Sequence, residues 1–319
     1  MKYALLAVLV LATGVAWKSA SAEPTYAERL GWGADDRVVI FHCDDAGMSH
    51  SSNRGAIEAL EYGMLTSVST MMPCGWVPEF AAYLKEHPNV DNGLHLTHTS
   101  EWSNYRWGPV AGKTAVPGLA DEQGCLWDNV PLVLEHATAD EIETEIRAQI
   151  ERAERMGMPI THLDSHMGTL FADDAYFERF MKVAIEKRIP MLIAGGHLTH
   201  VRQGHPEAAE KIVETAEMIW DAGLPVIDDI HTDTYDWKDP ATKKAELIET
   251  LRKLKPGITE IIVHCTNPSD AFEHISDSGP NRLADLRVMT DPDVKRVLEE
   301  QGIILTTWRE LKERRDKAG

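Results

Sequence analysis

Short β-branched runs alternate with longer helix-patterned stretches along most of this chain, and that alternation restricts the fold more than any other feature. Arg37, Val38, Val39, Ile40, Phe41 and His42 form a run with the length and content of a buried strand. The stretch 49–62 then reads as a helix, with Ser49, Ser51 and Ser52 as candidate caps and Ala56, Ile57, Ala59 and Leu60 as its apolar face. The same rhythm predicts strands near 66–72, 92–96 and 160–163 and helices over 77–87, 139–156 and 172–187. Further strands are expected near Met191 and Val226, over 260–264 and over 303–305. Strands separated by helices pair in parallel through right-handed crossovers, and about seven of them close most economically as a TIM-like (β/α) barrel. A length of 319 residues with 43% apolar content supplies a core for one such α/β domain over residues 23–319.

Residues 1–22 fall outside this rhythm. Lys2, the apolar run from Tyr3 to Ala12 and the small residues Ala20, Ser21 and Ala22 read as a cleavable secretory signal, leaving Glu23 as the mature N-terminus. The run is short for a bilayer span and no cysteine follows it for lipid attachment, so an exported protein, periplasmic or extracellular, without stable membrane insertion is expected. Losing Lys2 and Lys18 takes the formal charge from −19 to −21, which repels phosphate-rich partners and argues against nucleic acid. Cys43, Cys74, Cys125 and Cys265 are too few and too scattered for a disulfide scaffold, so the fold rests on its core.

Titratable residues collect where the expected strands end, on the face where barrels of this kind carry their sites. The first strand runs into Asp44 and Asp45, adjacent acids whose side chains point different ways and can take different tasks; alone, the pair would serve equally as helix caps or an Asx turn. The third ends at His95, which by itself would be read as a satisfied rim or core residue. The fourth carries His162, Asp164 and His166, two imidazoles and an acid within five residues, where a carboxylate can fix a histidine's tautomer. One carboxylate and two imidazoles from three strand ends make a three-donor metal site with a position open to water, the catalytic pattern. Nitrogen-rich donors favour zinc over magnesium, with magnesium or another divalent ion as alternatives. In such a site the ion polarises a carbonyl and acidifies its water, a second carboxylate takes the proton, and an acid protonates the leaving group; His264, at the end of a late strand, is placed for that last role.

The ordered segments His42-Cys43-Asp44-Asp45-Ala46-Gly47-Met48-Ser49, Gly63-Met64-Leu65-Thr66-Ser67, Gly93-Leu94-His95-Leu96 and Thr161-His162-Leu163-Asp164-Ser165-His166 resemble those of the YdjC-like carbohydrate deacetylases, relatives of the polysaccharide deacetylases. The likeness extends from about Val38 to Leu305. It implies a seven-stranded TIM-like barrel, one divalent metal, and hydrolysis of an N-acetyl group on a chitooligosaccharide or similar amino sugar, with metal-bound water as nucleophile. Position by position it implies Asp44 as catalytic base, Asp45, His95 and His166 as metal ligands, and an active-site role for His264. The chain departs from the family's usual Asn-Ala-Asp-Asp-Phe-Gly at His42, Cys43 and Ala46, from a His-rich continuation at Met167-Gly168-Thr169, and from His-Pro at His264-Cys265. His42 and Cys43 are read as supporting or packing residues.

A Gly-, Pro- and Trp-rich stretch, 97–131, breaks the strand–helix rhythm; Trp102, Tyr105, Trp107 and Trp127 either offer stacking surfaces to a sugar or pin the loop to the barrel. The alternatives to a deacetylase of small carbohydrates are a metal-dependent amidase or esterase on another acyl compound, and an exported carbohydrate-binding protein without catalysis. Oligomeric state is not written in the sequence.

Overall fold

The computed structural model describes residues 23–204, 209–237 and 239–319, so the expected signal at 1–22 lies outside the described residues. The longer elements, in chain order, are β1 (Arg37–Ala46), α1 (His50–Tyr62), β2 (Ser67–Thr70), α2 (Val77–Glu86), β3 (Asn92–Leu96), α3 (Ala139–Met156), β4 (Leu163–Ser165), α4 (Asp174–Lys187), α5 (Ala209–Asp221), β5 (Asp229–His231), α6 (Lys243–Lys253), β6 (Gly257–Val263), α7 (Gly279–Met289), α8 (Pro292–Glu300), β7 (Ile304–Leu305) and α9 (Trp308–Ala318).

The seven strands form one parallel sheet in the order β4-β3-β2-β1-β6-β5, with β7 paired to β1. Strand β1 is the axle: it pairs with β6 from Arg37↔Gly257 to Cys43↔Val263, with β7 at Val38↔Ile304, and with β2 from His42↔Ser67 onward. Two isolated parallel bridges, Leu163↔Met191 and Ala194↔Ile227, carry the ring from β4 towards β5. Asp228 N then donates to Ile258 O at 2.8 Å, joining that side to β6. The barrel expected from the alternation is therefore present. The strands expected near Met191 and Val226 are reduced to single bridges, because Pro190 and Pro225 withhold ladder donors and Gly195 and Gly196 follow the first.

Alternation along each strand sorts side chains between two environments. Val39, Phe41 and Cys43 of β1, Leu94 and Leu96 of β3 and Ile261 and Val263 of β6 join the apolar faces of α1, α2, α3 and α4 in the larger core. Val38 and Ile40 with Ile258 and Ile262 pack with Trp308 in a second cluster. The same parity of β1 continues as His42 and Asp44, and His42 meets Ser67 and Ser69 of β2 and Asp164 of β4, side chains that come together only inside the barrel. The interior is thus apolar below and titratable above, where the strands end.

Candidate metal centre

Asp44 and Asp45 close β1 at an irregularity in its pairing with β2, between Cys43 and Ala46. Asp45 has φ +67°, the left-handed region that aspartate tolerates better than most residues, and this kink separates the two carboxylates. Neither acid caps the next helix; Ser49 does, its side chain accepting from Ser52 N. Asp45 Oδ2 accepts from Arg282 Nη1 at 2.6 Å, while Oδ1, buried, has no hydrogen-bond partner among the described residues. That oxygen stands 3.5 Å from His95 Nε2 and 3.6 Å from His166 Nδ1.

Each histidine is turned by a carboxylate on its far side. His95 lies opposite Asp164 in the β3–β4 register, and its Nδ1 donates to Asp164 Oδ1 at 2.6 Å, which leaves Nε2 as an acceptor facing Asp45. His166 follows β4 in a tight turn through Met167 (φ +52°) and Gly168 (φ +65°), and its Nε2 lies 3.0 Å from Glu101 Oε1, leaving Nδ1 towards Asp45. The two rings meet edge to face with centroids 5.1 Å apart.

The donor atoms of Asp45, His95 and His166 all lie within 4.8 Å of one another. Two donors each about 2.1 Å from one ion at the tetrahedral angle stand about 3.4 Å apart. The 3.5 and 3.6 Å spacings match that value, and the orphaned Asp45 oxygen has no other partner to account for its burial. The residues therefore fit a divalent ion. Among the described residues, two further groupings, His42-His162-Asp164 and Asp44-His95-Asp164, lie equally close together. They contain contacts of 3.0 Å (His42 to Asp164) and 2.6 Å (His95 to Asp164), the spacing of donor and acceptor in direct contact. His162 belongs to the packing beneath, stacked on Trp308 with centroids 5.5 Å apart.

Asp44 stands beside this cluster. Its Oδ1 is 3.1 Å from His42 Nε2, and its Oδ2 is 3.7 Å from both His95 Nε2 and His264 Nε2. Helix α7 fixes two of these neighbours, since Arg282 holds Asp45 and Asp285 Oδ2 accepts from His264 N at 3.0 Å. All five residues singled out in the sequence, Asp44, Asp45, His95, His166 and His264, are brought to one mouth of the barrel.

The electrostatics follow from burial and these pairings. Burial alone would raise the Asp45 carboxyl, but the Arg282 guanidinium and His166 override it and hold Asp45 well below the carboxylate range. Burial opposes protonation of His166, yet Glu101 and Asp45 lift it to about 10. His264 is lowered, first by burial and then by Arg282. Arg282, Glu101 and the close fit of His42 were not identified from the sequence as site residues; a buried pair of acids requires a cationic neighbour, but nothing local marks which one.

The loop 97–131 is pinned by most of its aromatics. Trp107 Nε1 donates to Thr99 O at 2.9 Å, Trp127 Nε1 to Gly118 O at 2.8 Å, and Tyr105 Oη to Met48 O at 2.7 Å. Trp102 is the one that reaches the site, with the Arg282 guanidinium 5.9 Å from its ring centroid. Cys43, Cys74, Cys125 and Cys265 are all free thiols. Among the described residues no helix is long and apolar enough to cross a membrane.

Fold and site together define a parallel (β/α)-barrel protein with an Asp-His-His cluster and a second carboxylate at the ends of its strands. Residues 38–300 match the YdjC-like protein family, and the chain belongs to that family. It is 31% identical over 293 residues to a carbohydrate deacetylase of Thermus thermophilus, covering 90% of this chain and 97% of that protein. It is 26% identical over 287 residues to a chitooligosaccharide deacetylase of Serratia marcescens, covering 86% of this chain and all of that one (100%). A crystal structure from Enterococcus faecalis V583, of a protein with a suggested role in cellobiose-phosphate cleavage, shares the fold with TM-score 0.73 at 21% identity, covering 86% of this chain and 99% of that one.

Proposed function

We propose that this chain is an exported, divalent-metal-dependent carbohydrate deacetylase that removes an N-acetyl group from an amino sugar or chitooligosaccharide. The observation that carries the reading is the orphaned Asp45 oxygen facing His95 Nε2 and His166 Nδ1 at 3.5 and 3.6 Å, with Asp44 Oδ2 3.7 Å from His95. The names of the two deacetylase relatives support the acyl-sugar substrate. Asp45, His95 and His166 would hold the ion, zinc before magnesium on the softness of two nitrogen donors. When bound, the ion supplies Lewis-acid polarisation of the acetyl oxygen and a more acidic water.

The chain's own residues supply the proton transfers. Asp44 Oδ2 takes the proton of the attacking water, Glu101 and Asp164 keep the two imidazoles aimed inward, and Arg282 holds Asp45 ionised. As the carbon–nitrogen bond breaks, the amine needs a proton. His264 Nε2, 3.7 Å from Asp44 Oδ2, is the group that delivers it, handing on the proton that Asp44 took from the water and leaving acetate and a free amino sugar.

Acetate release from N-acetylated chitooligosaccharides, compared with release from simple amides and esters, tests the reading. Release should stop on exhaustive chelation and return with zinc. Asp44→Asn should abolish turnover while keeping the metal; turnover that survives chelation, or survives in Asp44→Asn, overturns the scheme.

A further inference from the structure

His42 is fully buried in the barrel, directly beneath the site. Its Nδ1 lies 3.0 Å from Ser67 Oγ and its Nε2 3.0 Å from Ser69 Oγ, so two hydroxyls of β2 set the plane of the ring. The same Nε2 lies 3.1 Å from Asp44 Oδ1 and 3.0 Å from Asp164 Oδ2. Neither of those two carboxylate oxygens has a hydrogen-bond partner among the described residues, so each is left facing the His42 ring at close range. Two buried carboxylates converging on one point repel each other unless a proton donor or cation stands between them, and the His42 imidazole is the group in that position.

Each carboxylate uses its other oxygen for the site. Asp164 Oδ1 receives His95 Nδ1–H at 2.6 Å, and Asp44 Oδ2 faces His95 Nε2 and His264 Nε2 at 3.7 Å each. His42 therefore occupies the one oxygen of Asp44 that does not face the reacting groups, and in doing so fixes where the other one points.

We infer that His42 is a positioning residue that braces the base Asp44 against Asp164, the carboxylate that orients His95, so that base and metal-binding imidazole are held in one frame. This rests on the deacetylase reading above. It makes His42 act on the rate of the chemical step and leaves substrate affinity and the zinc content of the loaded enzyme alone, because the ion's three donors and the His95–Asp164 hydrogen bond stay in place and the open mouth of the site does not include His42. A displacement of a reacting group by about 1 Å can cost about 100-fold in rate, which sets the scale expected.

The experiment uses the full chain loaded with zinc and follows acetate release from a chitooligosaccharide together with zinc per chain. His42→Ala is expected to lower kcat by about 10- to 100-fold with KM and zinc content unchanged. His42→Gln, whose amide N–H can reach toward the position of Nε2, is expected to recover a large part of that loss. If His42→Ala does not fold, His42→Asn, whose amide is too short to span both acids, replaces it with the same expected fall in kcat. Wild-type kcat in whichever of these two is folded overturns the inference, as does a loss of activity that only tracks a loss of zinc, or a His42→Gln enzyme no better than the variant it is compared with. A wild-type chain that releases no acetate defeats the deacetylase reading itself, whereas an active wild type with an indifferent His42 variant defeats only the brace.

Discussion

Replacing Asp164 by asparagine is the most informative single perturbation of the site, because it removes one charge and almost no volume. Asp164 is 2% exposed and uses both oxygens, Oδ1 on His95 Nδ1 at 2.6 Å and Oδ2 beside His42 Nε2 at 3.0 Å. Asparagine has one oxygen. If it stays on His95, an amide N–H2 faces His42; if it turns to His42, His95 loses its acceptor and its preferred tautomer. A hydrogen bond between a buried carboxylate and an imidazole contributes about 1.5–3 kcal/mol. Loss of such a partner behind a metal-binding histidine weakens metal affinity by about 10- to 100-fold, or about 1.4–2.7 kcal/mol, which agrees. Competition against a chromophoric chelator at fixed pH, with circular dichroism to establish that the variant is folded, measures it. A folded Asp164→Asn protein that binds zinc as tightly as wild type would refute the assignment of His95 Nε2 as a donor.

Three further outcomes are expected. His95→Ala should lower the metal retained per chain, read by elemental analysis after dialysis, with circular dichroism establishing that the variant is folded. Gly55→Ala in α1 should be destabilising by about 1–3 kcal/mol in chemical denaturation, although alanine is the better helix former by about 1 kcal/mol, because its Cβ would lie 2.4 Å from Thr266 Cα, a backbone atom that cannot swing aside. Glu145 accepts from Val110 N and Ala111 N, and burial raises its carboxyl to about 7 despite those bonds. A carboxyl raised on folding binds more protons in the native state between its unfolded value and 7, so stability falls as pH climbs through that window, by at most about 3–4 kcal/mol from this group. Glu145→Gln should remove that part of the slope; identical pH–stability slopes in both proteins would contradict it.

Elements whose ends are written locally were legible in the sequence. Helix α3 begins and ends where its pattern puts it because Thr138 and Glu141 form a capping box and Gly157 closes it at φ +70°. Strand β3 likewise occupies 92–96 as read. Strands near Met191 and Val226 were over-read, since β-branched content there says nothing of the prolines' missing donors. That Asp44, Asp45, His95, His166 and His264 come together was legible because strand ends converge in a barrel. Glu101 and Arg282 were not, because their partners lie 65 and 237 residues away and are chosen only by the folded chain. His42 was read as supporting or packing, and only the distances to its two acids give it a distinct task.

The three pairings of β1 have a consequence for how this protein can change. One segment of ten residues links neighbours on both sides and delivers the imidazole and both acids to the mouth. Moving it by one position would exchange every inward group for an outward one. Inserting or deleting a residue there would thus damage closure and chemistry in the same stroke, whereas the connecting segments above can change without shifting that register, provided Glu101 stays on His166. Divergence towards new sugars has its freedom in those segments, and laboratory redesign of specificity should start there and leave β1 untouched.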